Sequence, residues 1–526
     1  MKQASLRRED ILRGLSDTAH IWDILVIGGG ATGLGAAVES ASRGYRTLLI
    51  ERDDFAKGTS SRSTKLVHGG VRYLEQLNIT LVLDALRERG HMLRNAPHLV
   101  HKLSFVVPAY SYTSLPYYAL GLKLYERLSG SLSFGKSELL SGKEIQELLP
   151  TLCRDGLKGG ILYRDGQFDD ARYAITLMRT LQDLGGTAIN YLGAVRLLKR
   201  QDKTTGVVAK NHESGEEIEL QAKVVVNATG VFADEVRRME DESNAPVLTV
   251  SQGTHFVLPR EFLPGKHALM VPRTADGRVL FAIPWHGRIV VGTTDEPVPA
   301  TSVEPVSLST ERKFLATHIE HYMGKKLQTE DVLSMWSGLR PLVQQRRGIK
   351  TSRLPRDHTI LISNSGLVTV TGGKWTTYRK MGEDTITLAA KVGGLAAAPS
   401  RTTDLKLHGW TDPAGTKAAE SELVYGSDLP AVEALATEDA EWNALLHPRL
   451  PYRRREIVWA VRSEMARTVE DVLARRTRAL FLDARAAMEC APVAAQLMAR
   501  ELNRDDEWAA KSIAEFQKTA SGYIYQ

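Results

Sequence analysis

The side chains best suited to chemistry lie in widely separated stretches, each beside glycine. In Gly58-Thr-Ser-Ser-Arg-Ser-Thr-Lys-Leu-Val-His-Gly-Gly-Val-Arg-Tyr-Leu-Glu75, His68 offers an imidazole that titrates near neutrality. Gly69 and Gly70 beside it let the backbone come close to a flat ring. Thr59, Ser60 and Ser61 offer hydroxyls and backbone donors to a pyrophosphate or a flavin, and Arg72 and Tyr73 follow His68 within one helical turn. Read alone, the same stretch is also a serine-rich loop followed by a capped helix. A second imidazole, His255, follows Gly253-Thr254. Arg340 stands near the end of the apolar run Val332–Leu342, just before Pro341. An interior guanidinium requires an anion, which is either a ligand or a local acid, because an unpaired buried charge is costly. Lys374 follows Gly372-Gly373, where its ammonium can reach a ring or a substrate.

Positioning these groups falls first to Trp22–Glu51. The β-branched run Ile24-Leu-Val-Ile27 reads as a buried parallel strand, and Gly28-x-Gly30-x-x-Gly33 follows at once. The first glycine permits a tight turn and the second admits a pyrophosphate. The third lets a helix of small residues (Gly35, Ala36, Ala37, Ser40, Ala41) lie close on the strand. A second strand, Thr47–Ile50, delivers Glu51, whose carboxylate suits the two hydroxyls of an adenosine ribose. Strand, glycines, helix, strand and acid within one βαβ unit point to dinucleotide binding. Val224–Gly230, containing Ala228, is another strand-then-glycine crossing, which a large dinucleotide needs and a single NAD unit does not. Leu367-Val-Thr-Val-Thr-Gly-Gly-Lys-Trp-Thr-Thr-Tyr is a third, and places the positive end of a helix at its glycines.

At 526 residues the chain is expected to hold two or three domains. A net charge of +6, with basic and acidic residues interleaved, argues against nucleic-acid binding. Cys153 and Cys490 are too few for a disulfide framework and point to a reducing cytosol; no metal cluster is evident. The leader lacks the apolar segment of a signal peptide, and no run approaches the ~18 residues of a spanning helix, so membrane contact would be peripheral. Helices are expected over Thr80–Asn95 and Leu308–Met323, and a capped one begins at Ser141-Gly-Lys-Glu144. Gly159–Phe168 reads as a hairpin turning at Asp165-Gly166. Strands alternate from Val247 to Thr294, and helices dominate beyond about Pro399. The clusters Arg453-Arg454-Arg455 and Arg475-Arg476-x-Arg478 read as solvated, salt-bridged faces or as attraction to anionic lipid. Tyr117, Tyr118 and Tyr125 among leucines mark an amphipathic helix or a surface that dips into lipid.

Taken together, Ser63–Glu75, Val224–Gly230, Val291–Asp295, Ser337–Pro341 and Gly372–Arg379 resemble the FAD-dependent glycerol-3-phosphate dehydrogenases. The resemblance implies an α/β fold: a glutathione-reductase-like FAD-binding domain, an antiparallel-sheet substrate domain and an all-helical C-terminal domain. The corresponding segments are 20–80, 155–245 and 345–398 for FAD, 81–154 and 246–344 for substrate, and 399–526 for the C-terminal domain. It further implies oxidation of sn-glycerol 3-phosphate to dihydroxyacetone phosphate, with hydride passing from C2 to flavin N5 and electrons to membrane quinone. The expected cofactor contacts are Gly28, Gly30, Gly33, Glu51, Thr59, Ser60, Ser61, Lys65, His68, Gly69, Val195, Ala228, Gly230, Gly373, Lys374 and Thr376. Arg72, Tyr73, Thr293, Arg340 and Lys374 are the expected substrate contacts, with His68 the first choice and His255 the second for the base. A cytoplasmic protein, peripheral on anionic lipid at the inner face of the cell membrane, is expected, with a homodimer left open. The rival readings are an oxygen-using oxidase and an amino-acid or amine oxidase of the same fold.

Overall fold

The computed structural model describes residues 8–17, 20–70, 79–274, 277–343, 357–414 and 418–526; Arg72 and Tyr73 lie outside them. Two sheets carry the site. In the first, the strands His358–Ile362, Val368–Gly372, Glu217–Asn227, Ile21–Ile27, Thr47–Ile50 and Thr187–Ile189 follow in that spatial order. The last five are mutually parallel, and the meander Leu192–Arg200, Lys203–Asn211 joins at Glu217–Asn227. Ile24 to Val26 and Leu48 to Ile50 are fully buried, as strands covered on both faces must be. The helix Ala31–Ser42 packs on the helix Tyr378–Val392 at backbone distance: a Cβ on Gly382 would lie 2.7 Å from the backbone of Gly35. The small residues after the glycine loop therefore serve a close helix crossing as well as the cofactor turn.

The second sheet runs Glu296–Pro297, Leu248–Pro259, Arg288–Gly292, Leu280–Trp285, Ala268–Val271, Val100–Ala109, Gly159–Phe168 and Leu66–Val67, with Ser334–Val343 along the other edge of Leu248–Pro259. Gly159–Phe168 is thus one continuous strand paired with Val100–Ala109, not a hairpin. Gly166 stays in the ladder because a Cβ there would meet Val67, and the Asp165 carboxylate pairs with buried Arg89. This strand falls inside 155–245, yet it belongs to the second sheet. The capping box at Ser141 and Glu144 forms as the sequence indicates.

The C-terminal helices include Arg454–Glu464, Ala484–Leu502 and Asp506–Ser521. Between them the expected helix over Thr468–Arg478 is a wider π turn at Asp471–Arg476. Arg475, Arg476 and Arg478 on or beside it are each about 1% exposed, which overturns their reading as solvated or lipid-facing. Arg475 and Arg476 both donate to Asp54 just beyond Glu51, and Arg478 donates to Asp170 and to the Ser61 carbonyl. Lys65 donates to the same two groups, each at 2.7 Å. Arg172 makes a fork pair with Glu464 at 2.8 Å per bond. The helical domain is therefore bolted by buried charge to the loop that follows Glu51.

Burial by itself would raise the Asp54 carboxyl, but Arg476 and Arg475 hold it well below the usual range. A depressed folded pKa contributes stability above the unfolded value of about 4, and that contribution is lost as pH falls through the folded value. Asp54→Asn removes the carboxylate that Arg476 pairs with and one of the three that Arg475 pairs with, so we expect a loss of about 3–5 kcal/mol at neutral pH. Denaturant unfolding from pH 7 to pH 3 should show the wild-type advantage shrinking with acid; an advantage unchanged at pH 3 would contradict the assignment.

Candidate active site

Between the two sheets lies an open cleft with about 1230 Å³ of empty space, lined by Gly28, Gly30, Glu51, Thr59, Ser60, Ala228, Gly230, Gly373 and Lys374 among others. Its floor exists because side chains are missing. Gly28 has φ +111, and a Cβ there would lie 2.7 Å from the Ala228 carbonyl oxygen. A Cβ on Gly33 would lie 1.9 Å from the Gly28 oxygen. Gly372 and Gly373 turn with φ near +75, the left-handed region that favours glycine. The helix Ala31–Ser42 opens on the cleft without a side-chain cap of its own; Ser60 Oγ accepts from the Ala31 N–H at 2.9 Å. This is the N–H-lined concavity that a pyrophosphate occupies. Glu51 accepts from the N–H groups of Gly29 and Asp53, and burial pushes its carboxyl up to about 7.

The expected cofactor residues divide by position. Ser61 and Lys65 sit behind the loop, facing Asp170 and Arg478, and brace it without lining the cleft. Burial, together with Arg478, pulls the Lys65 ammonium down to about 7 against the attraction of Asp170. Val195 is the bulged residue beside cleft-lining Ala194 and turns its side chain to solvent. Thr376 is buried and donates to the His68 carbonyl, and the Gly69 N–H donates to Tyr125 Oη at 2.7 Å. Trp375, not among the expected contacts, lines the cleft and donates from Nε1 to the Ser60 carbonyl. Met381 and Phe232 line it as well and carry no local pattern in the sequence.

Behind the cleft residue Pro341, the second sheet carries His255 and Arg340, neither of which lines the cleft itself. The register Ser251↔Arg340, Gly253↔Gly338, His255↔Trp336 puts His255 and Arg340 on one face, flanking glycines. Each glycine clears space. A Cβ on Gly253 would lie 2.1 Å from Arg340 Nη2, and one on Gly292 would lie 2.2 Å from the His255 ring. One on Gly338 would meet the Arg62 backbone. Arg340 Nη2 donates to Thr293 Oγ1 and the Thr294 carbonyl, both at 3.0 Å, and Nη1 to Asp295 at 3.3 Å. The local acid considered from the sequence is therefore Asp295. Pro341, next in the chain, lines the cleft alongside Lys374. His255 stacks on Trp336 and shares a hydrogen bond with Thr64 Oγ1 through Nε2 at 2.9 Å. Burial, then the charges of Lys65 and Arg340, push its pKa well below the ordinary imidazole range. No three acidic, cysteine or histidine groups assemble into a metal site among the described residues.

The chain is similar to known flavin enzymes over most of its length. Residues 23–379 match the FAD dependent oxidoreductase family, and 401–509 match the C-terminal domain of alpha-glycerophosphate oxidase. The mitochondrial glycerol-3-phosphate dehydrogenase of Homo sapiens is 41% identical over 551 aligned positions, covering 98% of this chain and 75% of that protein. The structure of the glycerol-3-phosphate dehydrogenase from Bacillus halodurans complexed with FAD superposes with a TM-score of 0.79 at 28% identity, covering 98% of this chain and 97% of that one. The L-alpha-glycerophosphate oxidase from Mycoplasma pneumoniae reaches 0.57 at 17% identity, over 73% of this chain and 97% of that one, a likeness of fold alone.

Two substitutions probe the cleft. Gly33→Ala should abolish dinucleotide retention, and Glu51→Gln should weaken it at least about tenfold, since the amide keeps one acceptor oxygen where the carboxyl offers two oxygens that already serve the Gly29 and Asp53 N–H groups. Fluorescence titration of the stripped protein measures both; wild-type affinity in Glu51→Gln would remove the ribose role.

Proposed function

The chain belongs to the FAD-dependent glycerol-3-phosphate dehydrogenases, and from that membership we propose how its cleft holds FAD and sn-glycerol 3-phosphate together. Carrying the reading is one observation: the Arg340 guanidinium lies over Gly253, and the next residue, Pro341, lines a glycine-floored cleft together with Lys374. Gly28, Gly30 and the Ala31–Ser42 helix start suit the pyrophosphate, Glu51 the ribose, and Ala228, Gly230 and Gly373 the close passage of the cofactor. When bound, FAD accepts the hydride that leaves C2 of the alcohol.

The chain's own residues supply binding and the proton path. Arg340 and Lys374 clamp the phosphate away from the reacting carbon, and holding C2 in place this way is worth several kcal/mol. Two cations suit a phosphate dianion better than the single carboxylate of an amino acid, which favours this substrate over those of the amino-acid oxidases. Thr293 orients a hydroxyl. Arg72 and Tyr73, by sequence, complete the clamp. The proton of the C2 hydroxyl passes to an imidazole. His68 and His255 are the candidates; Thr376 donates to the His68 backbone carbonyl, and Thr64 and Trp336 contact the His255 ring. His255 Nδ1 has no hydrogen-bond partner among the described residues, and its depressed pKa keeps the ring neutral at pH 7.

For the electrons we propose membrane quinone, and for the protein a peripheral seat on anionic lipid at the inner face of the cell membrane. Supporting this is the helix Ser114–Ser129, which turns Tyr117 and Leu120 outward at 56% and 74% exposure. No helix among the described residues is long and apolar enough to cross a membrane.

Arg340→Ala should raise KM for glycerol 3-phosphate by at least about tenfold with FAD retained, the cost of losing a charge-assisted contact. An unchanged KM would remove Arg340 from the phosphate site. If His255 is the base, the acid limb of kcat/KM falls well below pH 6.5, because the ring resists protonation until then. His255→Ala should then slow single-turnover flavin bleaching, and His68→Ala should not; the reverse result would assign the proton to His68.

A further inference from the structure

Glu311 is a fully buried carboxylate in the first turn of the helix Ser309–Met323, far in sequence from every glycine motif. It accepts from the Leu308 N–H at 2.8 Å, from Gln252 Nε2 at 2.7 Å and from the Thr294 hydroxyl. Capping its own helix would occupy only one of these bonds. The other two reach the strand and the turn that surround Arg340.

Thr294 is the hinge of the arrangement. Its hydroxyl donates to Glu311 and at the same time accepts from the Thr254 N–H at 2.8 Å, so both the hydrogen and a lone pair are committed. Its carbonyl, the neighbouring Thr293 hydroxyl and the Asp295 carboxylate all accept from the Arg340 guanidinium. Gln252, the second donor to Glu311, immediately precedes Gly253, over which that guanidinium lies. Both the floor beneath Arg340 and its ring of acceptors are thus tied to a single carboxylate.

We propose that Glu311 is a positioning residue: acting through Thr294 and Gln252, it sets the Arg340 fork for the phosphate of the substrate. The inference rests on the reading of Arg340 as the phosphate clamp. A carboxylate serves here where an amide would not, because all three neighbours are donors. Glu311→Gln turns one acceptor oxygen into an NH₂ that faces another donor. Thr294→Val removes the hydroxyl at constant shape, whereas Thr294→Ser retains it.

In the holoenzyme, KM for glycerol 3-phosphate, kcat, and the competitive inhibition constant of inorganic phosphate would be measured for Glu311→Gln, Thr294→Val, Thr294→Ser and Arg340→Ala. Ser141→Ala, which removes an exposed helix cap remote from Arg340, serves as control. Glu311→Gln and Thr294→Val should raise KM and the phosphate constant together by about tenfold, with kcat nearly unchanged, as expected for lost ground-state binding. Thr294→Ser and Ser141→Ala should match wild type. Should Arg340→Ala raise both constants while Thr294→Val and Glu311→Gln leave them at wild-type values, the positioning role is overturned. A fall in kcat at constant KM overturns it equally. If Arg340→Ala itself changes neither constant, the clamp reading fails and takes the inference with it.

Discussion

The cleft depends on a junction of buried charge. Asp54 and Asp170, both in segments that border the cofactor side, meet Arg475, Arg476, Arg478 and Lys65 without exposure to water. Buried ions are tolerated only when paired and hydrogen-bonded, so removing any one leaves its partners at a high cost. The loop Gly58–Lys65 is held between this junction and the second sheet, to which Thr59 bonds at the Leu339 carbonyl and Thr64 at His255. Its front faces the cleft and its back is fixed by the helical domain. That domain is consequently part of the site's frame, although none of its residues lines the cleft.

The second constraint is subtraction. Gly28, Gly33 and Gly373 shape the cofactor floor, whereas Gly253, Gly292 and Gly338 empty one face of the second sheet. Into that space fit an imidazole, a guanidinium and the backbone of Arg62.

Much of this was legible locally. The βαβ unit, the later glycine crossings, the alternating strands from Val247 onward and the Ser141 cap are all short-range patterns, set by φ, by period or by capping chemistry. Arg340 and His255 stood out through their glycine neighbours, and register explains why: each glycine sits opposite or beside the side chain it makes room for. Long-range pairing was not legible. Arg475 to Arg478 look like a surface cluster because Asp54 and Asp170 lie hundreds of residues away. Glu311 looks like an ordinary first-turn acid because Thr294 and Gln252 are called in by tertiary packing alone. Asp165-Gly166 has the composition of a turn, yet it is pinned into a strand by Arg89, Tyr125 and the neighbouring Val67.

We propose that a flavin and a phosphorylated alcohol bind side by side, the phosphate held by Arg340 and Lys374. The most direct test is anaerobic titration of the purified holoprotein, followed at the flavin absorbance band. Stoichiometric bleaching by glycerol 3-phosphate, with none by glycine or other amino acids, is the predicted result. A yellow protein that amino acids bleach and glycerol 3-phosphate does not would contradict it.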